Sequence, residues 1–121
     1  MKQALLSFIL LLAAAATFSQ TTIKLEQAKD HIGDSVHVCG LVASARYISY
    51  TDNAPTFLNL GAAYPNQLLT VLIWQNVRDR MQFKPENFYL KKEICVIGRL
   101  ELHREKPQIV INDTSQIRLK E

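Results

Sequence analysis

With four glycines, four prolines, two cysteines and one tryptophan among 121 residues, this chain is short of the residues on which most recognisable chemistry is built. The glycines Gly33, Gly40, Gly61 and Gly98 stand far apart. None belongs to a phosphate-cradling loop, which needs closely spaced glycines to bring backbone N–H groups against an anion. There is no H-E-x-x-H pair, no G-x-S-x-G elbow and no paired-carboxylate pattern. The acids that could act as bases, Asp52, Asp79 and Asp113, sit in loop-like or helical polar contexts. A catalytic centre is not expected, nor is a cofactor. Metal binding is not expected either. His37 and Cys39 share one face of a strand, so a set of His37, Cys39 and Cys95 can be drawn, but the close Cys and His spacings of structural zinc sites are missing and so is a fourth ligand. His31 reads as a helix-end residue and His103 as a solvated strand residue.

Charge of one sign is also lacking. Fourteen Lys and Arg against eleven Asp and Glu give a formal charge of +3, which falls to +2 without Lys2, despite a calculated pI near 9.0. So weak a global field neither holds nor steers a polyanion, and an anionic polymer would have to be met by a local cluster of cations. The apolar run from Ala4 to Ala16 follows the single charge of Lys2 and is shorter than the roughly 18 to 20 residues that a spanning helix needs. Small residues at Thr17 and Ser19 then precede Gln20. This is the pattern of a secretory signal peptide, residues 1–19, cleaved before Gln20, and it predicts a periplasmic or secreted protein with no stable membrane span. Residues 20–121 suit one small domain.

Within that domain the hydrophobic period changes several times. Leu25, Ala28 and Ile32 recur at helical spacing and Gly33 stops them, which predicts a short N-terminal helix. From Ser35 to Tyr47 the period is two, with Gly40 inside the run. An interior glycine weakens a strand and marks a bulge or sharp bend. After the turn-rich S-Y-T-D-N-A-P come strand Thr56–Leu60, a loop Gly61–Gln67 and strand Leu68–Trp74. A short helix follows Asn76, with Val77 and Met81 on one face and Arg78, Asp79, Arg80 and Gln82 in water; Pro85 ends or restarts it. A second long strand with an internal glycine spans Glu93–His103, a tight turn covers Arg104–Pro107, and a last strand runs Gln108–Asn112 before a tail that could add a short edge. The predicted order, β-β-β-α-β-β with the first and fourth strands bent at Gly40 and Gly98, is that of a five-stranded OB-fold Greek-key barrel; a five-stranded open α+β sheet is the alternative, and the two strand glycines favour closure.

The segments H-I-G-D-S-V-H-V-C-G-L-V, P-T-F-L-N-L-G-A-A-Y-P-N-Q-L-L-T-V-L-I-W, E-I-C-V-I-G-R-L-E-L and K-P-Q-I-V-I-N-D-T-S-Q-I carry a resemblance that covers almost all of residues 20–121. In series they are similar to bacterial OB-fold nucleic-acid-binding-like domains related to anticodon-binding domains, some of which accompany nuclease domains in secreted bacterial proteins. The matching residues are mostly fold-determining: strand glycines, alternating valines and the Lys-Pro-Gln turn. The resemblance therefore implies the fold more strongly than the ligand.

Two features remain. Cys39 and Cys95 lie at matching phase on the first and fourth strands, one beside the other in such a barrel, and both point outward. A disulfide and a pair of free thiols are both compatible with that placement. The binding face of an OB-fold is the surface of strands two and three with the loops after strands one and four, where single strands stack on aromatic rings beside cations. Those places hold Arg46, Tyr47, Tyr50, Phe57, Tyr64, Trp74, His103, Arg104 and Lys106. If Leu58, Leu60, Leu69, Val71 and Ile73 face inward, then Phe57, Asn59, Thr70, Leu72 and Trp74 face outward, although Trp74 could equally pack under the Val77 and Met81 helix. The expectation is an exported, non-catalytic module that binds single-stranded nucleic acid or a similar oligomeric ligand. The alternative is an envelope module binding a peptide, glycan or protein partner.

Overall fold

The computed structural model describes residues 20–121; the leader expected at residues 1–19 lies outside them. Eight strands and four short helical turns follow in order. They are β1 (Thr21–Ile23), a 3₁₀ turn (Leu25–Asp30), β2 (Ser35–Tyr47), β3 (Thr56–Leu60), β4 (Leu69–Ile73), α1 (Gln75–Arg78), α2 (Pro85–Phe88), β5 (Glu93–Arg99), β6 (Glu101–His103), β7 (Lys106–Ile111), a second 3₁₀ turn (Thr114–Gln116) and β8 (Ile117–Leu119). The hydrogen-bonded path runs β6-β7-β4-β3-β2-β5-β8, and β1 adds to β2. The sheet is mixed, because β4 pairs β7 and β1 pairs β2 in parallel while the other pairs are antiparallel.

The mostly β class is therefore what is found, and the hydrogen-bonded sheet of eight strands is open, a path of seven with β1 added beside β2, rather than a closed ring of five. The expected single strand over Glu93–His103 breaks at Leu100, which is fully buried and exchanges backbone hydrogen bonds with Gly33 and Asp34 instead of a neighbouring strand. The break lets β5 pair with β2 and β8 while β6 pairs with β7. Chain connectivity through Leu100 thus joins the two flanks of the path.

Alternation explains the core. Val36, Val38, Val42, Leu58, Leu60, Leu69, Val71, Ile73, Ile94, Val96, Ile109 and Ile111 all have no solvent exposure and occupy the inward positions of five strands. Leu25 and Ala28 of the first 3₁₀ turn close one side, and Val77 and Tyr89 close another. Burial of this kind, at about 25 cal/mol per Å² of apolar surface, is the main stabilising term. It also raises the titration of the Tyr89 phenol by removing it from water.

The helical stretch before β5 is interrupted and restarts at Pro85, as expected, and each part is a single turn. Pro85, at the start of α2, lacks an N–H and disfavours helical backbone at Lys84, which is extended. Turns this short depend on contacts rather than propensity. Arg78, expected in water, is largely buried and holds both Glu86 carboxylate oxygens at 2.6 and 3.2 Å. Its guanidinium also lies 3.7 Å from the centre of the Tyr47 ring, whose hydroxyl donates to the Gln75 side chain. One arginine thereby ties α1 to α2 and both to the end of β2.

Cys39 and Cys95 are direct partners in the β2–β5 ladder, and their sulfurs are bonded. For the loop of 56 residues so closed, chain entropy contributes about 4 kcal/mol at most. Asp113 caps the last 3₁₀ turn by accepting from the Ser115 N–H, which holds its carboxyl below the usual range.

The interior glycine of β5 has a specific reason. A Cβ added at Gly98 would lie 2.6 Å from Cγ2 of Ile109, a β-branched side chain with little freedom to retreat. Gly98→Ala is expected to lower stability by about 1 to 3 kcal/mol in urea unfolding. An unchanged midpoint would mean that β5 and β7 are not in close contact there.

Candidate functional site

The site starts from one extra residue in β2. Val42 pairs with Leu60 and Ser44 with Asn59, so Ala43 has no partner of its own. A bulge of this kind reverses the facing of everything after it. Before it, Val36, Val38 and Val42 point inward; after it Ala45 packs on the core while Ser44 and Arg46 turn outward. Lys91 pins the bulge, its N–H bonding Val42 O at 2.8 Å and its ammonium bonding Ala43 O at 2.8 Å.

Register then aligns outward residues across four strands. Ser44 stands opposite Asn59, Asn59 opposite Thr70, and Thr70 beside Gln108, which makes a continuous polar row. The next row is Arg46, Phe57, Leu72 and Val110. The polar row is locked from within. Asn59 Nδ2 donates to Ser44 Oγ at 3.1 Å, Thr70 Oγ1 donates to Asn59 Oδ1 at 3.3 Å, and Gln67 Nε2 donates to Thr70 Oγ1 at 3.0 Å. Ser44 Oγ also accepts from the Tyr64 N–H at 3.1 Å, which fixes the β3–β4 loop over the row. Because both of those bonds are accepted, the Ser44 hydroxyl proton is left to donate outward.

Two walls rise from this floor. One is the β3–β4 loop with Tyr64, Pro65 and Gln67; the other is the β6–β7 hairpin with His103, Arg104 and Lys106. Between them lies a groove of about 640 Å³ that also touches Ile48 and Pro107. The hairpin is joined by Arg104 and Glu105, with φ of 48° and 66°. Both are left-handed, as a two-residue type I′ turn demands, and that geometry is ordinarily met with Asn-Gly. Two side-chain-bearing residues here cost about 1 to 2 kcal/mol each. The turn carries an arginine on the groove's rim at that cost.

Of the residues expected at a binding face, Arg46, Phe57, Tyr64, His103, Arg104 and Lys106 line this one groove. Phe57 is half-buried on its floor and Tyr64 is 72% exposed on its wall. The structure does not bring the other three to it. Tyr47 follows the bulge in inward phase and is covered by Arg78. Tyr50 is 79% exposed in the turn after β2 and is not among the lining residues. Trp74 is half-buried immediately before α1, where its carbonyl accepts from Val77 and Arg78. The residues that sequence reasoning missed are Ser44, Gln67 and Gln108. Gln108 was open to detection, since it alternates with the inward Ile109 and Ile111. Ser44 was hidden by the bulge, and Gln67 by a loop whose path no period describes.

No family model and no curated protein matches this chain. Among solved structures it is similar to a crystal structure described as an aspartyl-tRNA synthetase from Leishmania major Friedlin, with a TM-score of 0.57 and 10% sequence identity. The similarity covers 88% of this chain and 22% of that one, so this chain spans about a fifth of the length of its structural neighbour. At this identity the likeness is one of fold.

Replacing Glu105 by glycine removes left-handed strain without touching a cation. Glu105→Gly is expected to raise stability by about 1 kcal/mol in urea unfolding. A lower midpoint would show that Glu105 makes a stabilising contact that outweighs its backbone.

Proposed function

We propose that residues 20–121 form an exported OB-type module that binds single-stranded nucleic acid in the groove between the β3–β4 loop and the β6–β7 hairpin. The OB-type core would be β2, β3, β4, β5 and β7, closed by the approach of Gly98 to Ile109 rather than by a hydrogen-bonded ladder. That reading is supported by the order of the five strands, by the parallel pairing of β4 with β7 and by the fold likeness to the synthetase chain. Export is supported by the apolar leader and is compatible with a bonded cysteine pair.

The observation that carries the ligand is the composition of one groove. It combines two accessible aromatic rings, Phe57 and Tyr64, with Arg46, Arg104 and Lys106 around a floor of amides and hydroxyls. Bases present flat π-faces that stack on such rings, and their edges offer donors and acceptors that amides and hydroxyls can meet. The phosphates between them need cations at the rim, which is where Arg104 stands. With the formal charge of the chain so close to balance, this local cluster is the part of the surface on which an anionic strand would be held.

Fluorescence anisotropy with a labelled single-stranded oligonucleotide tests the proposal. Binding is expected at low salt and should weaken as salt rises, with a modest slope because few phosphates are neutralised. Tyr64→Ala should cost about 1 to 3 kcal/mol, or roughly 5- to 150-fold in affinity, as expected for one lost stack. Arg104→Ala should weaken binding and flatten the salt slope, whereas Tyr47→Ala should alter stability more than affinity. No binding at low salt, or equal binding by Tyr64→Ala and Arg104→Ala, would overturn it.

A further inference from the structure

The face carrying the cysteines has a chemistry of its own. His37 and Cys39 are two apart on β2 and so project from the same side of the sheet, and Cys95 is the direct cross-strand partner of Cys39. One donor atom from each residue lies within 4.8 Å of the others. A hollow of about 470 Å³, lined by His37, Cys39, Glu93 and Lys120 among others, opens beside them to solvent. This cluster plays no part in the groove described above.

We infer that His37, Cys39 and Cys95 form a binding site for a thiophilic divalent cation of the zinc(II) class, which opens when the disulfide is reduced. Zinc accepts thiolate sulfur at about 2.3 Å and imidazole nitrogen at about 2.0 to 2.1 Å, so tetrahedral donors stand roughly 3.4 to 3.8 Å apart. Separating two bonded sulfurs to that spacing needs side-chain rotation on two adjacent strands, and the ladder on either side of the pair can stay intact. His37 is half-buried and Cys39 is half-buried, while Cys95 is almost fully buried, so the cation would rest against the sheet with its fourth position toward the hollow and water. Two thiolates neutralise a dication, which allows it to sit near Arg118, the partner of Cys95 on β8. Glu93 is two residues from Cys95 and is engaged by Lys120 at 3.3 Å, so the first three ligands are the histidine and the two cysteines.

The two states exclude each other. A dithiol reductant breaks the Cys39–Cys95 bond by supplying two electrons and two protons, becomes a cyclic disulfide itself, and leaves one thiol on each strand. Uptake of the cation then releases those two thiol protons to solvent. Re-oxidation would have to expel the cation first, so bound metal protects the thiols. The usual short Cys and His spacings are absent from the sequence because the strand ladder, and not a loop, brings these donors together.

The test uses the protein reduced with dithiothreitol and desalted without oxygen, and cobalt(II) as the spectroscopic probe for a zinc-type site. The expected result is a thiolate-to-cobalt charge-transfer band that saturates at one cobalt per chain and is bleached by zinc(II). The disulfide form should give no band. Cys39→Ser should lose most of the band, and His37→Ala should weaken cobalt binding at least about tenfold while keeping the charge transfer. Far-UV circular dichroism of the reduced protein, with and without cobalt, reports folding. The inference is overturned if folded, reduced protein shows no band with excess cobalt, if His37→Ala binds as tightly as the parent, or if the reduced chain is unfolded with and without metal. None of these outcomes bears on oligonucleotide binding, which is measured in the disulfide form.

Discussion

The side chains that can reach a ligand on this protein are decided by Ala43, the residue without a partner in β2. Strand side chains alternate with a period of two, so one extra residue exchanges inside for outside along everything that follows. Without the bulge, the phase that buries Val36, Val38 and Val42 would bury Ser44 and Arg46 as well and expose Ala45. With it, Ser44 joins Asn59, Thr70 and Gln108 in a polar row, and Arg46 joins Phe57 in the row beside it. The same reversal turns Tyr47 toward Arg78, which ties it to the α1 and α2 turns. Groove and scaffold are therefore two consequences of one local irregularity, and Lys91 holds it in place from the next strand's approach.

Away from the bulge, regular alternation does most of the work, and that part of the fold was legible. The bounds expected for β2 and β3 are those observed, and the inward set Leu58, Leu60, Leu69, Val71 and Ile73 is fully buried. Each is fixed by local pattern. What could not be read depends on the far side of a contact. Leu100 ends β5 because Gly33 and Asp34 take its backbone hydrogen bonds, and they are distant in sequence. Arg78 looked like a solvated helix residue flanking Asp79, yet Glu86 and the Tyr47 ring reach it from two directions. Gly40, expected to bend β2, lies against Leu25 while the irregularity falls three residues later.

The candidate site was legible in a similar proportion and for the same reason. Phe57, Tyr64 and the Arg104 hairpin were placed by strand order, since the β2–β3–β4 surface and the last hairpin border one another whatever the details. Tyr47, Tyr50 and Trp74 follow from the same strand order, at the end of the first strand, in the loop after it and at the end of the third strand, but facing and turn geometry leave them outside the lining. Aromatic content alone does not define a platform. A ring that is hydrogen-bonded and covered by a cation, as Tyr47 is, has already spent its face and its hydroxyl on the fold. The cysteine pair shows the complementary case, in which residues distant in sequence become direct neighbours through a register that no short motif announces.

Backbone amide chemical shifts, recorded while an unlabelled single-stranded oligonucleotide is titrated in, test the central claim most directly. The account predicts concentration-dependent changes at Ser44 to Arg46, Phe57 to Asn59, Tyr64 to Thr70 and His103 to Gln108, with the β2–β5 face around Cys39 and Cys95 left unmoved. Changes centred on that cysteine face, or on Tyr50 and Trp74 with the groove silent, would contradict it.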